Sequence, residues 1–165
     1  MTALGTTDCA ISDSCQCQIN TAKATVATNA NKCTAYNNEL SCLRTAQAAG
    51  CDGSTKSAVA TATDTTRAAL PTADCAAPSA TCQCEIAAAK GVAGSSTTYC
   101  TVLSTLKTCL SAITTSTEAG CTSTTQAGLV TDTGTKTSAK CGSAADHVTF
   151  AMTSLVISVL VHLFL

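Results

Sequence analysis

The apolar positions of this chain recur with helical rather than strand spacing. Tyr36, Leu40, Leu43 and Gln47 are separated by 4, 3 and 4 residues, which places them on one helical face, and Gly50 follows as the predicted end. Tyr99, Leu103, Leu106, Leu110 and Ile113 form a second stripe of the same kind, ended by Gly120. The stretch after Cys17, QINTAKATVATNANK, carries Ala and Lys at helical frequency, with Ser14 as its candidate N-cap. Residues 57–70 read as another helix, which Pro71 stops and which doubles as a link between two halves of the chain. No stretch shows the clear alternation of a half-buried strand. After Cys121 the pattern fades. TSTTQAGLVTDTGTKTSAK is rich in Thr, Ser and Gly, and each Thr lowers helix propensity by about a few tenths of a kcal/mol, so residues 122–140 read as a stalk. The chain then runs into VTFAMTSLVISVLVHLFL, residues 148–165, with no Asp, Glu, Lys or Arg.

The cysteines divide this pattern into two copies. Cys9, Cys15, Cys17, Cys33, Cys42 and Cys51 are followed by Cys75, Cys82, Cys84, Cys100, Cys109 and Cys121, at offsets of 66, 67, 67, 67, 67 and 70. Other residues keep the register: Asp8 with Asp74, Gln16 with Gln83, Ile19 with Ile86, Lys23 with Lys90, Leu43 with Leu110. The expectation is a mainly α fold, a tandem duplication of a small disulfide-stapled helical module. The first module covers 8–70 and the second 74–121, followed by the Thr/Ser-rich stalk (122–140), a short region of small residues (141–147) and an apolar C-terminal helix (148–165). Irregular disulfide-rich modules with little helix are the alternative.

Six cysteines per module imply three bridges, with fifteen pairings open. Ordinary geometry excludes only the neighbours Cys15 with Cys17 and Cys82 with Cys84. Cys33 and Cys42 fall near opposite faces of one helix, which suits a helix stapled on both sides. A thiolate metal site would need four ligands converging on one ion. No CxxC is present and no His lies between Cys9 and Cys141, so disulfides are expected, and neither metal nor cofactor.

Composition narrows the function classes. The 165 residues include 13 Cys, 30 Ala and 32 Thr, only 12% are charged, and the net charge is −1. There is no basic surface to neutralise phosphates, which argues against nucleic-acid binding. Catalysis is hard to build. The two histidines, His147 and His162, fall in the terminal segment, the cysteines are expected to be oxidised, and the carboxylates are scattered. The chain reads as no enzyme. Gln16 and Gln83 are expected to bond local backbone, and Asp8 and Asp74 to make caps or turns.

Cys141, Gly142, Ser143, Ala144 and Ala145 form a run of small residues, Asp146 and His147 a short polar spacer, and residues 148–165 a terminal apolar tail. That order is the signal for a glycosylphosphatidylinositol (GPI) anchor, attached at Ser143 or Gly142 with the tail removed. A single membrane span is the alternative, since eighteen apolar residues can just cross the hydrocarbon core. MTALGTTDCA has neither a basic n-region nor an apolar h-region, so the anchored reading predicts a leader already removed. With its cysteine repeat, its Ser143-Ala144-Ala145 triplet and its tail, the chain resembles the broad class of GPI-anchored, cysteine-rich cell-surface proteins of eukaryotes. The resemblance implies a glycoprotein on the outer face of the plasma membrane, with an extracellular protein or glycan partner. Thr115, Thr117, Thr124, Thr131 and Thr133 are the candidate O-glycan acceptors. Cys141, outside both modules, could link two chains, pair with a missing leader cysteine, carry the anchor or be free. The leading expectation is a non-enzymatic coat, adhesion or co-receptor module. A small apolar-ligand carrier and a single-pass receptor subunit are the alternatives.

Overall fold

A computed structural model describes residues 11–24 and 26–142. Six α-helices make up the described fold: α1 (Asp13–Lys23), α2 (Asn29–Leu43), α3 (Lys56–Ala68), α4 (Ala80–Lys90), α5 (Ser96–Ser111) and α6 (Gln126–Cys141). Among the described residues there is no strand, only an isolated bridge between Ala119 and Thr125. The fold is thus mainly helical, as the stripes of Leu40/Leu43 and Leu103/Leu106/Leu110 indicate, and all five of those leucines are fully buried.

Every helix opens on a hydroxyl. Ser12, Thr28, Thr55, Ser79, Ser95 and Thr125 each accept the N–H of the residue three positions on, which satisfies one of the four amides a helix start leaves unpaired. The cap of α1 is therefore Ser12, not Ser14. Ser14, two residues further in, is buried and its Oγ donates to Ala48 O at 2.6 Å. Inside the helices, threonine hydroxyls donate to the carbonyl four residues back, as Thr61 does to Ser57, Thr65 to Thr61, Thr131 to Ala127 and Thr135 to Thr131. A threonine-rich segment can thus stay helical without leaving its hydroxyls stranded.

The bridges are Cys15–Cys51, Cys17–Cys42 and Cys33–Cys75, then Cys82–Cys121, Cys84–Cys109 and Cys100–Cys141. Both sets follow one rule: first to fifth, second to fourth, third to sixth. Helix α2 is stapled on both sides, to α1 through Cys42 and to the segment after α3 through Cys33. The expected register is corrected by one cysteine. Cys75 closes the first module rather than opening the second, and Cys141 closes the second rather than standing outside it. An intermolecular role for Cys141 gives way to its bond with Cys100 in the same chain. Cys9 lies outside the described residues.

The stalk expected over 122–140 is also corrected. Most of it is α6, the counterpart of α3. Thr55, Val59 and Thr63 of the first copy align with Thr125, Leu129 and Thr133 of the second, seventy residues on. Leu129 and Thr133 are fully buried against α5, and Cys141 holds the end of the helix. Packing of one apolar face, reinforced by a covalent bond, outweighs the weak intrinsic propensity of threonine.

Gly50 and Gly120 do not end helices, since α2 stops at Leu43 and α5 at Ser111. They sit where loops cross tightly. A Cβ on Gly50 would come within 2.7 Å of Gln18 Oε1 and 2.8 Å of Val59 Cγ2, and one on Gly120 would collide with the Glu85 carboxylate. Each glycine precedes a cysteine whose N–H donates to that same side chain, Cys51 N–H to Gln18 Oε1 at 2.7 Å and Cys121 N–H to Glu85 Oε2 at 2.6 Å.

The modules share one core. Leu40, Leu43, Ala46, Val59 and Ala60 of the first pack with Cys82, Ile86, Ala89 and Cys121 of the second, and α4 lies against both α2 and α3.

Candidate functional site

Two features of the described residues carry chemistry: a charged junction between the modules, and a pair of matching grooves.

At the junction, Glu85 of α4 is fully buried. Ser41 Oγ donates to its Oε1 at 2.7 Å, the Cys121 amide donates to its Oε2, and the guanidinium of Arg44 lies 3.3 Å from Oε1. Arg44 also donates to Ser41 Oγ at 2.7 Å and bridges to Asp132 of α6 at 2.8 Å. A second tie runs beside it. Lys56, at the first turn of α3 and 3% exposed, donates from Nζ to Ala88 O at 2.9 Å, and Ser57 Oγ donates to Lys90 O at 2.6 Å. Both carbonyls belong to the C-terminal turn of α4, where the helix dipole favours a cation; Ala88 O also accepts the Gly91 N–H at 3.1 Å. Burial nonetheless pulls the Lys56 ammonium down to about 8. Lys90 returns the contact by pairing with Asp64 of α3 at 2.6 Å. Asp64 also pairs with Arg67, and these hydrogen bonds and charges hold its carboxyl below the usual range in spite of burial. Each carboxylate of the junction is thus paired with at least one cation, while Lys56 is met by a carbonyl alone.

The grooves lie between the first two helices of each module. In the second module, Cys84, Ala87, Ala88, Gly91, Thr101, Val102, Thr105, Leu106 and Cys109 line about 200 Å³ between α4 and α5. In the first, Cys17, Asn20, Thr21, Ala24, Ala35, Asn38, Glu39 and Cys42 enclose about 270 Å³ between α1 and α2. All eight positions of the first groove recur in the second, displaced by 67 residues, and Thr101 is added there. The walls differ in kind. Where the second groove has Ala87, Ala88, Thr105 and Leu106, the first has Asn20, Thr21, Asn38 and Glu39. Glu39 is 6% exposed, and burial pushes its carboxyl up. In the sequence the carboxylate is one of ten scattered acids, with no local pattern to mark it. Laying the two copies over each other exposes it, because its counterpart is Leu106.

The residues expected to carry function fall as follows. The cysteines from Cys15 to Cys121 are all bonded, with Cys75 and Cys121 in the pairings given above. Of the O-glycan candidates, Thr115, Thr117 and Thr124 are exposed. Thr131 is exposed on α6 with its hydroxyl donating to Ala127 O. Thr133 is corrected: it is fully buried under α5 and no transferase can reach it. Gly142 follows the last helical residue, while Ser143 and the apolar tail lie outside the described residues. Gln83 bonds local backbone at Pro78 O as expected, whereas Gln16 bonds the side chain of Asn20. No group of three or more His, Cys, Asp or Glu among the described residues could hold a metal ion, and no described helix is long and apolar enough to cross a membrane. Comparison with protein-family models, with curated proteins and with solved structures finds no match.

Proposed function

We propose that the chain is a non-enzymatic extracellular surface protein, a coat, adhesion or co-receptor module, held on the outer face of the plasma membrane by a GPI anchor at Ser143 or Gly142. The observation that supports this best is the closure of the fold at Cys141. Six disulfides tie the described residues together, a pattern that forms and persists in oxidising compartments. The last of them fixes the residue directly before the attachment candidates, and the anchor-type tail follows in the sequence. On this reading the two modules stand close to the membrane on a tether of a few residues, rather than raised on a stalk.

The test is phospholipase release. The full reading frame, with whatever leader it carries, is expressed on eukaryotic cells, and intact cells are treated with phosphatidylinositol-specific phospholipase C. Release of a protein that ends at Ser143 or Gly142 is expected. Retention with a C-terminal tag attached would replace the anchor by a membrane span and the coat by a single-pass receptor subunit. The apolar groove between α4 and α5 favours one further reading, carriage of a small apolar ligand, which native mass spectrometry before and after delipidation tests.

A further inference from the structure

We infer that the groove between α1 and α2 is a binding site for a primary alkylammonium group, carried by a free amine or by a lysine side chain. Four observations converge on it. The cavity exists, at about 270 Å³, below the range of drug-sized pockets and matched to one short chain or side chain. Its wall holds a carboxylate, Glu39, that is 94% buried by its 6% exposure. All nine Lys and Arg residues of the chain lie in the described part, and among the described residues none pairs with Glu39. The hydroxyls of Thr21 and Thr63 are within hydrogen-bond reach of the carboxylate, so these two partners are neutral, and each also lies near a backbone carbonyl, Ala35 O at 3.5 Å and Val59 O at 3.0 Å. A buried carboxylate with no cation is costly: burial pushes Glu39 toward its neutral acid, and a cation seated in the groove is what would hold it ionised.

The chemistry of the wall selects the cation. One carboxylate balances one positive charge, and the absence of a second acid at the groove disfavours a divalent metal. Asn38 and Thr21 add neutral oxygens, which suit the three donors of a compact ammonium. Ala24, Ala35 and the Cys17–Cys42 bridge supply an apolar surface for methylenes. The second groove is an internal comparison. It has the same backbone and the same disulfide, and Leu106 where the first has Glu39, so a neutral apolar guest suits it and an ammonium does not.

The test uses the intact oxidised chain, labelled with ¹⁵N and held in a non-ionic maltoside micelle. It is titrated with n-butylammonium chloride, with n-butanol as the neutral isostere, tetramethylammonium chloride as the donor-free cation, and acetyl-lysine amide as the side-chain mimic. Saturable amide shifts centred on Thr21, Ala35, Asn38 and Glu39 are expected with n-butylammonium and absent with tetramethylammonium and n-butanol. Glu39→Gln should weaken binding at least about tenfold. Glu39→Leu, which copies the second groove, should abolish it while the rest of the spectrum is kept. Asn38→Thr, which copies Thr105 and leaves the carboxylate, should weaken it less. Asp74→Asn, on an exposed acid elsewhere, should leave it unchanged. A response to acetyl-lysine amide assigns the site to lysine side chains, and a response to n-butylammonium alone assigns it to free amines. No saturable shift, an equal response to tetramethylammonium, or binding that survives Glu39→Leu would overturn the inference.

Discussion

The bond between Cys100 and Cys141 converts what reads as a loose polar tail into the third helix of a module, so its removal is the sharpest test of the fold. The two cysteines are 41 residues apart. Closing a loop of that length restricts the unfolded chain by about 4 kcal/mol in the entropic account of disulfides. Helix α6 also packs along α5 through Leu129 and Thr133, so the double variant Cys100→Ala/Cys141→Ala should keep its helices and lose stability rather than structure. For a chain of this size the loss corresponds to a fall in Tm on the order of 10–15 °C, with little change in helical circular dichroism at 20 °C. The pairing itself can be read without any variant. Cleavage of the unreduced protein after Lys90, Lys107 and Lys140 releases residues 91–107, which contain Cys100 and no other cysteine, and a peptide that begins at Cys141. These two should travel as one disulfide-linked species. Two copies of the Cys141 peptide joined to each other, or a Tm that does not move in the double variant, would refute the closed second module.

Three further outcomes follow from the junction and the core. Glu85→Gln keeps an acceptor for the Cys121 amide, as Gln18 does for Cys51, but removes the charge that Arg44 faces; it should cost about 2 kcal/mol in urea unfolding. Adding Arg44→Met should then cost less than it does alone, and strict additivity would mean the pair is uncoupled. Lys56 has a folded-state value of about 8 against an ordinary 10.5, so between these the unfolded chain binds more protons and stability rises with pH. The rise is at most about 3 kcal/mol, less as far as solvent reaches the ammonium, and urea midpoints compared at pH 7 and pH 10 should lose it in Lys56→Gln. Thr133 Oγ1 is buried without a partner, so Thr133→Val should raise stability by about 1 kcal/mol, and a loss of that size would mean the hydroxyl is bonded after all.

Much of the helical frame was legible in the sequence, for local reasons. The leucine stripes of α2 and α5 are strong because apolar residues are scarce elsewhere in those segments. Pro71 and the stretch before it located α3 to within two residues. Helix α6 was missed because propensity was weighed without packing. Its stripe of Gln126, Leu129 and Thr133 contains a single large apolar residue, and the alignment of Val59 with Leu129 was the signal that could have found it. The module boundary was missed for a different reason. Cys9, Cys75 and Cys141 are evenly spaced by 66, so the same series can be cut before or after the recurring cysteine, and only the bonds Cys33–Cys75 and Cys100–Cys141 choose between the two phases. The junction left no periodic trace at all. Arg44, Glu85 and Asp132 come together from three helices across 88 residues of chain, which no local pattern encodes.

The two copies differ most usefully in where they keep charge. At one pair of positions the module needs an acceptor for the amide that follows the crowded glycine, and either Gln18 or Glu85 supplies it. The glutamate brings a charge that its own module does not answer unaided. Ser41 and Arg44 reach it from the first module, so this divergence helps make one body of two repeats. At the other pair the second module keeps Leu106 in its own core, while the first places Glu39 beside a cavity and brings no cation to it. The same duplication therefore yields one acid that is answered from within and one that is not. A buried charge answered from within can be explained by folding alone. One left facing an open groove without a cation works against folding, and the amine proposed for the groove would answer it from outside.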